Sequence, residues 1–286
     1  AENSYKIEFM RISFKGNPSK QQIQDAKKEF SEQFTLNYVP ELILQYTSQE
    51  SLQTFCREFP EIKKLSLLFC SEIDDLQPLL TLTDLRNLSL IGLVKIKDLS
   101  VISEINSLQS LELRSLPLTD GNSLTKLNKL QKLSINIPDL DDYSFLQELS
   151  SLTSLSISGR KLTNLQKIKK LKYLQFLEIN FTTSDSLDAY FDLQNLVAFR
   201  NLRQLRLFNC ILDNTRYLSR LKKLSYLDLS SCEGLESLTA LRVLPELRTV
   251  RLPANTFSPE ELKNIRKGIN IFFDKKRVLP RPEDTE

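Results

Sequence analysis

The hexapeptide Leu85-Arg86-Asn87-Leu88-Ser89-Leu90 has the form Leu-x-x-Leu-x-Leu, and that form occurs nine times along the chain. The copies begin at Ile62, Leu85, Leu108, Leu130, Leu152, Leu174, Leu202, Leu224 and Leu247, in steps of 23, 23, 22, 22, 22, 28, 22 and 23 residues. Chance does not hold such a register from Ile62 to Leu247. Leu-x-Leu is a period-two pattern, which predicts a short strand with its leucines inward and the intervening residues outward. Between strands the spacing changes to three, as in Ile73, Leu76, Leu79, Leu82 and in Ile96, Leu99, Ile102, Ile105. That period suits tight 3₁₀ turns better than long α-helices. One such unit cannot bury its own apolar edge. Stacked units make a parallel sheet with a continuous leucine core behind it, joined by right-handed crossovers.

These residues resemble the leucine-rich repeat family, whose pattern continues with Asn or Cys three residues after the last strand leucine. That slot holds Cys70, Leu93, Leu116, Pro138, Arg160, Thr182, Cys210, Cys232 and Asn255, so four of nine match. The 22-residue length and the Leu-x-x-Leu-x-x-Leu return segments are most similar to the internalin-type bacterial subclass, from which the thin Asn/Cys row departs. The resemblance implies an α/β solenoid with a parallel concave sheet and a convex side of 3₁₀ turns and short helices, capped at both ends. At about 150 residues per domain the length alone suggests two domains. The repeat replaces that with one core of stacked units. The expected division is an N-terminal cap over 1–61, nine repeats over 62–256, and a C-terminal cap over 257–286.

Composition narrows the function classes. Leucine fills 55 of the 286 positions, 49 of them between Leu65 and Leu252. Histidine is absent, which removes Ser-His and Cys-His pairs and the usual zinc-hydrolase ligands. With 39 basic against 36 acidic side chains, the balance argues against nucleic acid as a dominant partner. No run of 18 apolar residues predicts an integral membrane segment. A chain opening Ala1-Glu2 without a signal-peptide pattern fits a mature or trimmed product.

Both flanks read as covers for the exposed ends of the stack. Tyr5 to Phe14 alternates with a change of phase between Phe9 and Ile12, which predicts a strand with a bulge. Lys15-Gly16-Asn17-Pro18 is a turn. Ser19 with Gln22 forms a capping box for a helix whose face carries Ile23, Ala26, Phe30 and Phe34. A strand over Val39 to Leu44 and a short helix lined by Leu52, Phe55, Cys56 and Phe59 complete a β-α-β-α lead-in. At the other end, Ser258-Pro259-Glu260-Glu261 starts a helix with Leu262, Ile265 and Ile269 on one face. Ile271, Phe272 and Phe273 are expected to close the core edge, ahead of a loose charged tail from Asp274 to Glu286.

Candidate chemistry is thin. Cys210 and Cys232 occupy equivalent positions of adjacent repeats, and the reading that fits them is an inward slot with the thiol near turn backbone. Cys70 fits the same account, and Cys56 lies on an apolar helix face. No Cys-x-x-Cys supports metal, so no metal, cofactor or catalytic residue is expected. The Lys15-to-Lys20 turn carries one glycine and lacks Gly-Lys-Ser/Thr, so it is no phosphate loop. Asp74-Asp75 and Asp141-Asp142 sit in return turns, where acidic residues cap backbone. Lys167, Lys169, Lys170 and Lys172 read as the solvated side of a return segment.

The concave face carries the better signal. Its rows run from Lys64-Ser66-Leu68 and Asn87-Ser89-Ile91 through a small, polar middle, and from Phe176 onward they combine Phe, Tyr, Arg, Glu and Asp. Exposed aromatics beside Arg match the composition of protein-binding hot spots. The expected partner-binding residues are Arg114, Phe176, Glu178, Asn180, Arg206, Phe208, Tyr226, Asp228 and Arg251. A non-enzymatic protein-interaction scaffold is the reading they support. A carbohydrate or surface-polymer module using the same aromatics is the alternative, and oligomeric state is left open. The longer repeat between Ile179 and Leu202 offers either a helix with a protruding edge or a wider turn filled by Leu187, Tyr190, Phe191 and Leu193, and the second reading is favoured. The internalin-type resemblance implies secretion or surface attachment, with a cytoplasmic adaptor as the alternative that the free cysteines fit.

Overall fold

The computed structural model describes residues 3–35, 38–183, 189–254, 256–265 and 268–274, and divides into two compact units, Ala1–Pro138 and Asp139–Glu286. The first unit opens with β1 (Ser4–Glu8) and β2 (Arg11–Lys15), paired antiparallel with Ile7 opposite Ile12. The expected bulge is a hairpin turn instead. Phe9 and Met10 sit at φ 45° and 65°, the two left-handed positions that a two-residue hairpin needs. Chain reversal at these residues is what changes the phase of the alternation.

From β2 onward every pairing in this unit is parallel. The strands are β3 (Glu41–Gln45), β4 (Lys64–Leu68), β5 (Asn87–Ile91), β6 (Ser110–Arg114) and β7 (Lys132–Asn136). Helix α1 (Lys20–Phe34) joins β2 to β3, with the expected capping box of Ser19 and Gln22; α2 (Gln49–Glu58) joins β3 to β4. Glu41 pairs with Lys64, a step of 23 residues like those that follow. Val39, Leu42 and Leu44 therefore already form a repeat. It escaped the pattern because valine leads it and a real helix, rather than a 3₁₀ turn, returns it. Later returns are 3₁₀ turns at Gln77–Thr81, Ile102–Glu104 and Asn122–Lys126. Phe14 packs its ring 4.9 Å from Phe55 and 6.2 Å from Phe59, so aromatic bulk fills the wider space that the two helices leave. Burying each such side chain contributes roughly 1.5–3 kcal/mol.

In the second unit β8 (Ser154–Gly159) and β9 (Phe176–Phe181) pair in parallel. A short β10 (Tyr190–Asp192) follows the long return, then β11 (Gln204–Phe208), β12 (Ile211–Asp213) and β13 (Tyr226–Asp228). After α3 (Thr239–Arg242) come β14 (Thr249–Pro253), α4 (Pro259–Lys263) and β15 (Asn270–Asp274). β9, β11, β13, β14 and β15 are successive parallel neighbours, while β10 and β12 pair with each other on the return side. Among the described residues of the long repeat, the return is the short strand β10 followed by a 3₁₀ turn at Leu193–Leu196, not the alternative of a helix with a protruding edge. Phe191 and Leu193 are buried as the favoured reading required, Tyr190 is exposed, and Leu187 lies outside the described residues.

The inward slot explains the five mismatches. Leu93 and Leu116 are fully buried, so leucine simply replaces Asn or Cys there. At the next three repeats the slot shifts back one residue: Ile137, Gly159 and Phe181 point inward, whereas Pro138, Arg160 and Thr182 are exposed. The residue lost is a left-handed one. Ser115 and Asn209 adopt φ 53° and 55° just before their slots, and the shifted repeats omit that step. Asn255 lies outside the described residues.

A second row runs along the return turns. Asp75 and Asp98 accept the amides of Gln77 and Ser100 at 2.8 and 2.9 Å, and Asp120 accepts that of Asn122 at 2.9 Å. In the second unit Asp142 and Asp192 do the same for Ser144 and Gln194 at 2.9 and 2.8 Å. Neighbouring repeats add Ser123 to Asp98, Asn164 to Asp142 and Asn214 to Asp192. Hydrogen bonds from Ser100, by its hydroxyl first and then its amide, hold the Asp98 carboxyl below the usual carboxylate range. Asn164, followed by Ser144, does so for Asp142.

At the C-terminal end the Ser258–Glu261 capping box forms, but α4 ends at Lys263, so Ile269 is not on it. Ile265 is buried, and Ile271 is half-buried on β15. Phe272 and Phe273 are 51% and 45% exposed and do not close the core edge. The tail from residue 275 lies outside the described residues. Among those described, no helix is long and apolar enough to cross a membrane.

Candidate functional site

Alternation on β9, β11, β13 and β14 sends the leucines inward and brings the intervening side chains onto one open face of the second unit. Parallel register then sorts them into rows. Phe176, Gln204, Tyr226 and Thr249 stand side by side in the first row. Glu178, Arg206, Asp228 and Arg251 follow in the second, so charge alternates from strand to strand. Asn180 and Phe208 share the third.

The second row is internally paired. Arg206 Nη1 lies 3.5 Å from Glu178 Oε2, and Ser156 Oγ donates to Glu178 Oε1 at 2.9 Å. Arg251 Nε lies 3.5 Å from Asp228 Oδ2. Arg206 also reaches the first row: its guanidinium carbon is 5.6 Å from the Phe176 ring centroid and 5.1 Å from that of Tyr226. Two rings and a carboxylate therefore fix one guanidinium, with its side chain still 37% exposed. Cation–π contact of this kind adds to the ion pair and limits the rotamers that binding must freeze.

The other predicted residues divide by burial. Asp228 is largely buried; its Oδ1 accepts both the amide and the hydroxyl of Ser230, at 3.1 and 2.7 Å. Its role in this geometry is to hold Arg251 and the end of β13. Asn180 is half-buried and accepts from Asn209 Nδ2 at 2.8 Å, a partner the strand pattern did not single out because it follows β11. Phe208 is half-buried. Arg114 belongs to β6 of the first unit, where it pairs with Glu112 at 3.4 Å.

The four cysteines are buried free thiols. Cys210 and Cys232 lie with their sulfurs 3.6 Å apart, and Cys232 Sγ donates to the Leu207 carbonyl at 3.0 Å, as the inward-slot reading expected. Among the described residues no group of three or more His, Cys, Asp or Glu is arranged to hold a metal ion. Asp75 and Asp142 are turn caps, as expected of return-segment carboxylates.

The geometry can be set beside solved structures. An internalin (inlF) from Listeria monocytogenes superposes with a TM-score of 0.53 at 24% identity, over 77% of this chain and 69% of that one. The chain has the leucine-rich repeat fold. A TDR receptor shares it with a TM-score of 0.52 at 15% identity, over 80% of this chain and 42% of the receptor. A leucine-rich repeat protein of Leptospira interrogans gives 0.47 at 18% identity, over 85% and 74%. No family model matches the sequence, and no curated protein sequence is similar to it. The repeat fold asks only for apolar residues at the inward positions, so the outward rows are free to differ from one such protein to another.

Proposed function

We propose that the protein is a non-enzymatic interaction scaffold that takes a protein partner on the open face of its second unit. The observation that carries this is Arg206, held between Phe176 and Tyr226 and paired with Glu178 on a half-exposed surface. A pre-fixed guanidinium among aromatic rings is what a binding hot spot requires, since little side-chain entropy remains to be lost. The alternating row of Glu178, Arg206, Asp228 and Arg251 is neutral overall, so selectivity would come from matching a charge pattern rather than from net attraction.

Carbohydrate binding is less well served by this geometry. A sugar stacks on an open ring face, and Arg206 occupies one face of both Phe176 and Tyr226. Secretion or surface display in a bacterium belongs to the same proposal.

The test is a pull-down from host and bacterial lysates with the wild type and with Phe176→Ala, Phe208→Ala and Tyr226→Ala variants. Loss of a captured protein in the variants, with the melting temperature nearly unchanged, supports the site. Full capture by all three variants sinks it. Glycan-array binding without any protein partner supports the carbohydrate alternative.

A further inference from the structure

The first unit carries an aromatic strip that its fold does not need. Tyr46 and Phe69 directly follow β3 and β4 and occupy φ 55° and 54°. At the same step of neighbouring repeats the chain places Gly16, Gly92 and Ser115, also at positive φ. Left-handed backbone is costly for a bulky side chain and cheap for Gly or Asn. Yet Tyr46 and Phe69 remain 48% and 52% exposed, so the core gains little from them. Strain accepted without burial is a reason to look for a role in recognition.

The two rings are fixed in place. They stack with centroids 6.1 Å apart and planes 22° from parallel. Lys15 Nζ closes one end at 5.9 Å from the Tyr46 centroid. At the other end the Gly92 backbone lies so near that a Cβ there would be 2.6 Å from Phe69 Cδ1. The exposed parts of the two rings continue into half-buried Leu68 and Ile91, which extend the apolar strip. The strand face beside it is cationic: Arg11 and Arg114 are offset by Glu41 and Glu112. Lys15, Lys64 and Lys132 have no carboxylate within ion-pair distance among the described residues.

We propose that Tyr46 and Phe69 form a second docking surface, for an extended protein segment with an apolar centre and Asp or Glu on its flanks. The apolar centre meets the exposed parts of the two rings, and the flanking carboxylates meet the lysines that lack an ion-pair partner. This surface does not depend on the second unit's face.

The test pans a phage-displayed random peptide library against the full chain, then measures the enriched peptides on three variants. The expected consensus is an aromatic or aliphatic centre with acidic flanks. Tyr46→Asn combined with Phe69→Asn is expected to weaken binding at least about tenfold, the scale of a hot-spot loss, while the melting temperature holds or rises because Asn tolerates the left-handed backbone. Lys15→Gln is expected to weaken binding and flatten its salt dependence, and Arg206→Ala to leave it unchanged. The proposal is overturned if no acidic-flanked consensus emerges, if the Asn variant binds the peptides as tightly as the wild type, or if that variant melts lower. Loss of peptide binding in Arg206→Ala would assign the peptides to the second unit and also overturn it. Binding of an anionic glycan in place of peptides would do the same.

Discussion

The guanidinium carbon of Arg206 lies 5.1 Å from the ring centroid of Tyr226, one strand away on the same face. Each residue thereby limits the other's rotamers before any partner arrives. A double-mutant cycle of Arg206→Ala and Tyr226→Ala should show a coupling of about 0.5–1 kcal/mol in denaturant unfolding, the scale of an exposed cation–π pair. Strict additivity would mean that the two side chains are independent in solution.

Gly234 is a point where backbone meets backbone. It sits at φ +83°, and an added Cβ would lie 2.4 Å from the Leu212 carbonyl oxygen. Neither strain nor clash can be relieved by a rotamer change, so Gly234→Ala should cost about 2–3 kcal/mol. Thermal unfolding of the variant measures this, and a melting temperature equal to the wild type would refute it.

The aspartates of the return turns make stability depend on acid. Asp98 and Asp142 have lowered pKa values, each held down by the hydrogen bonds it accepts. A carboxyl whose folded pKa lies below its unfolded value adds stability above the unfolded value. That share disappears as pH falls through the folded one. The denaturant midpoint should therefore drop between neutral pH and the acid side of the normal carboxylate range. An Asp98→Asn, Asp142→Asn double variant should start lower and drop less.

Asp192 tests the same device as a cap. Its Oδ1 accepts from the Gln194 amide at 2.8 Å and from Asn214 Nδ2 at 2.9 Å. Asp192→Ala should cost about 1 kcal/mol, as loss of a turn or helix cap does. Chemical denaturation reads it directly, and an unchanged midpoint would show that water replaces the carboxylate without loss.

The thiols should be silent in the native state. Burial pushes Cys56 up to about 12, and the hydrogen bond with Cys232, then burial, raises Cys210 well above the ordinary thiol range. Thiolate is the reactive form, so a thiol-labelling reagent at mildly alkaline pH should modify neither before unfolding. Rapid labelling of the folded chain at either cysteine would contradict their positions.

Much of this molecule was legible in the leucines. Leu65 and Leu67, or Leu227 and Leu229, alternate because a strand with one buried face permits nothing else. Their fixed spacing requires neighbouring strands to stack in register. The side-chain rows follow by arithmetic: once Leu205 pairs with Leu227, Arg206 must stand beside Asp228. What the pattern could not express was geometry set by contact between distant segments. The hairpin turn at Phe9 and Met10, the one-residue shift that turns Ile137 inward in place of Pro138, and the helix-returned repeat at Val39 all depend on how the backbone leaves a strand. Leucine spacing does not encode that choice. The stacking of Arg206 on Phe176, the burial of Asp228 and the pairing of Tyr46 with Phe69 likewise needed the folded chain. Sequence determines which side chains share a face, because strand period is a local property. Only tertiary structure decides which of them touch, because rotamers are selected by neighbours from other repeats.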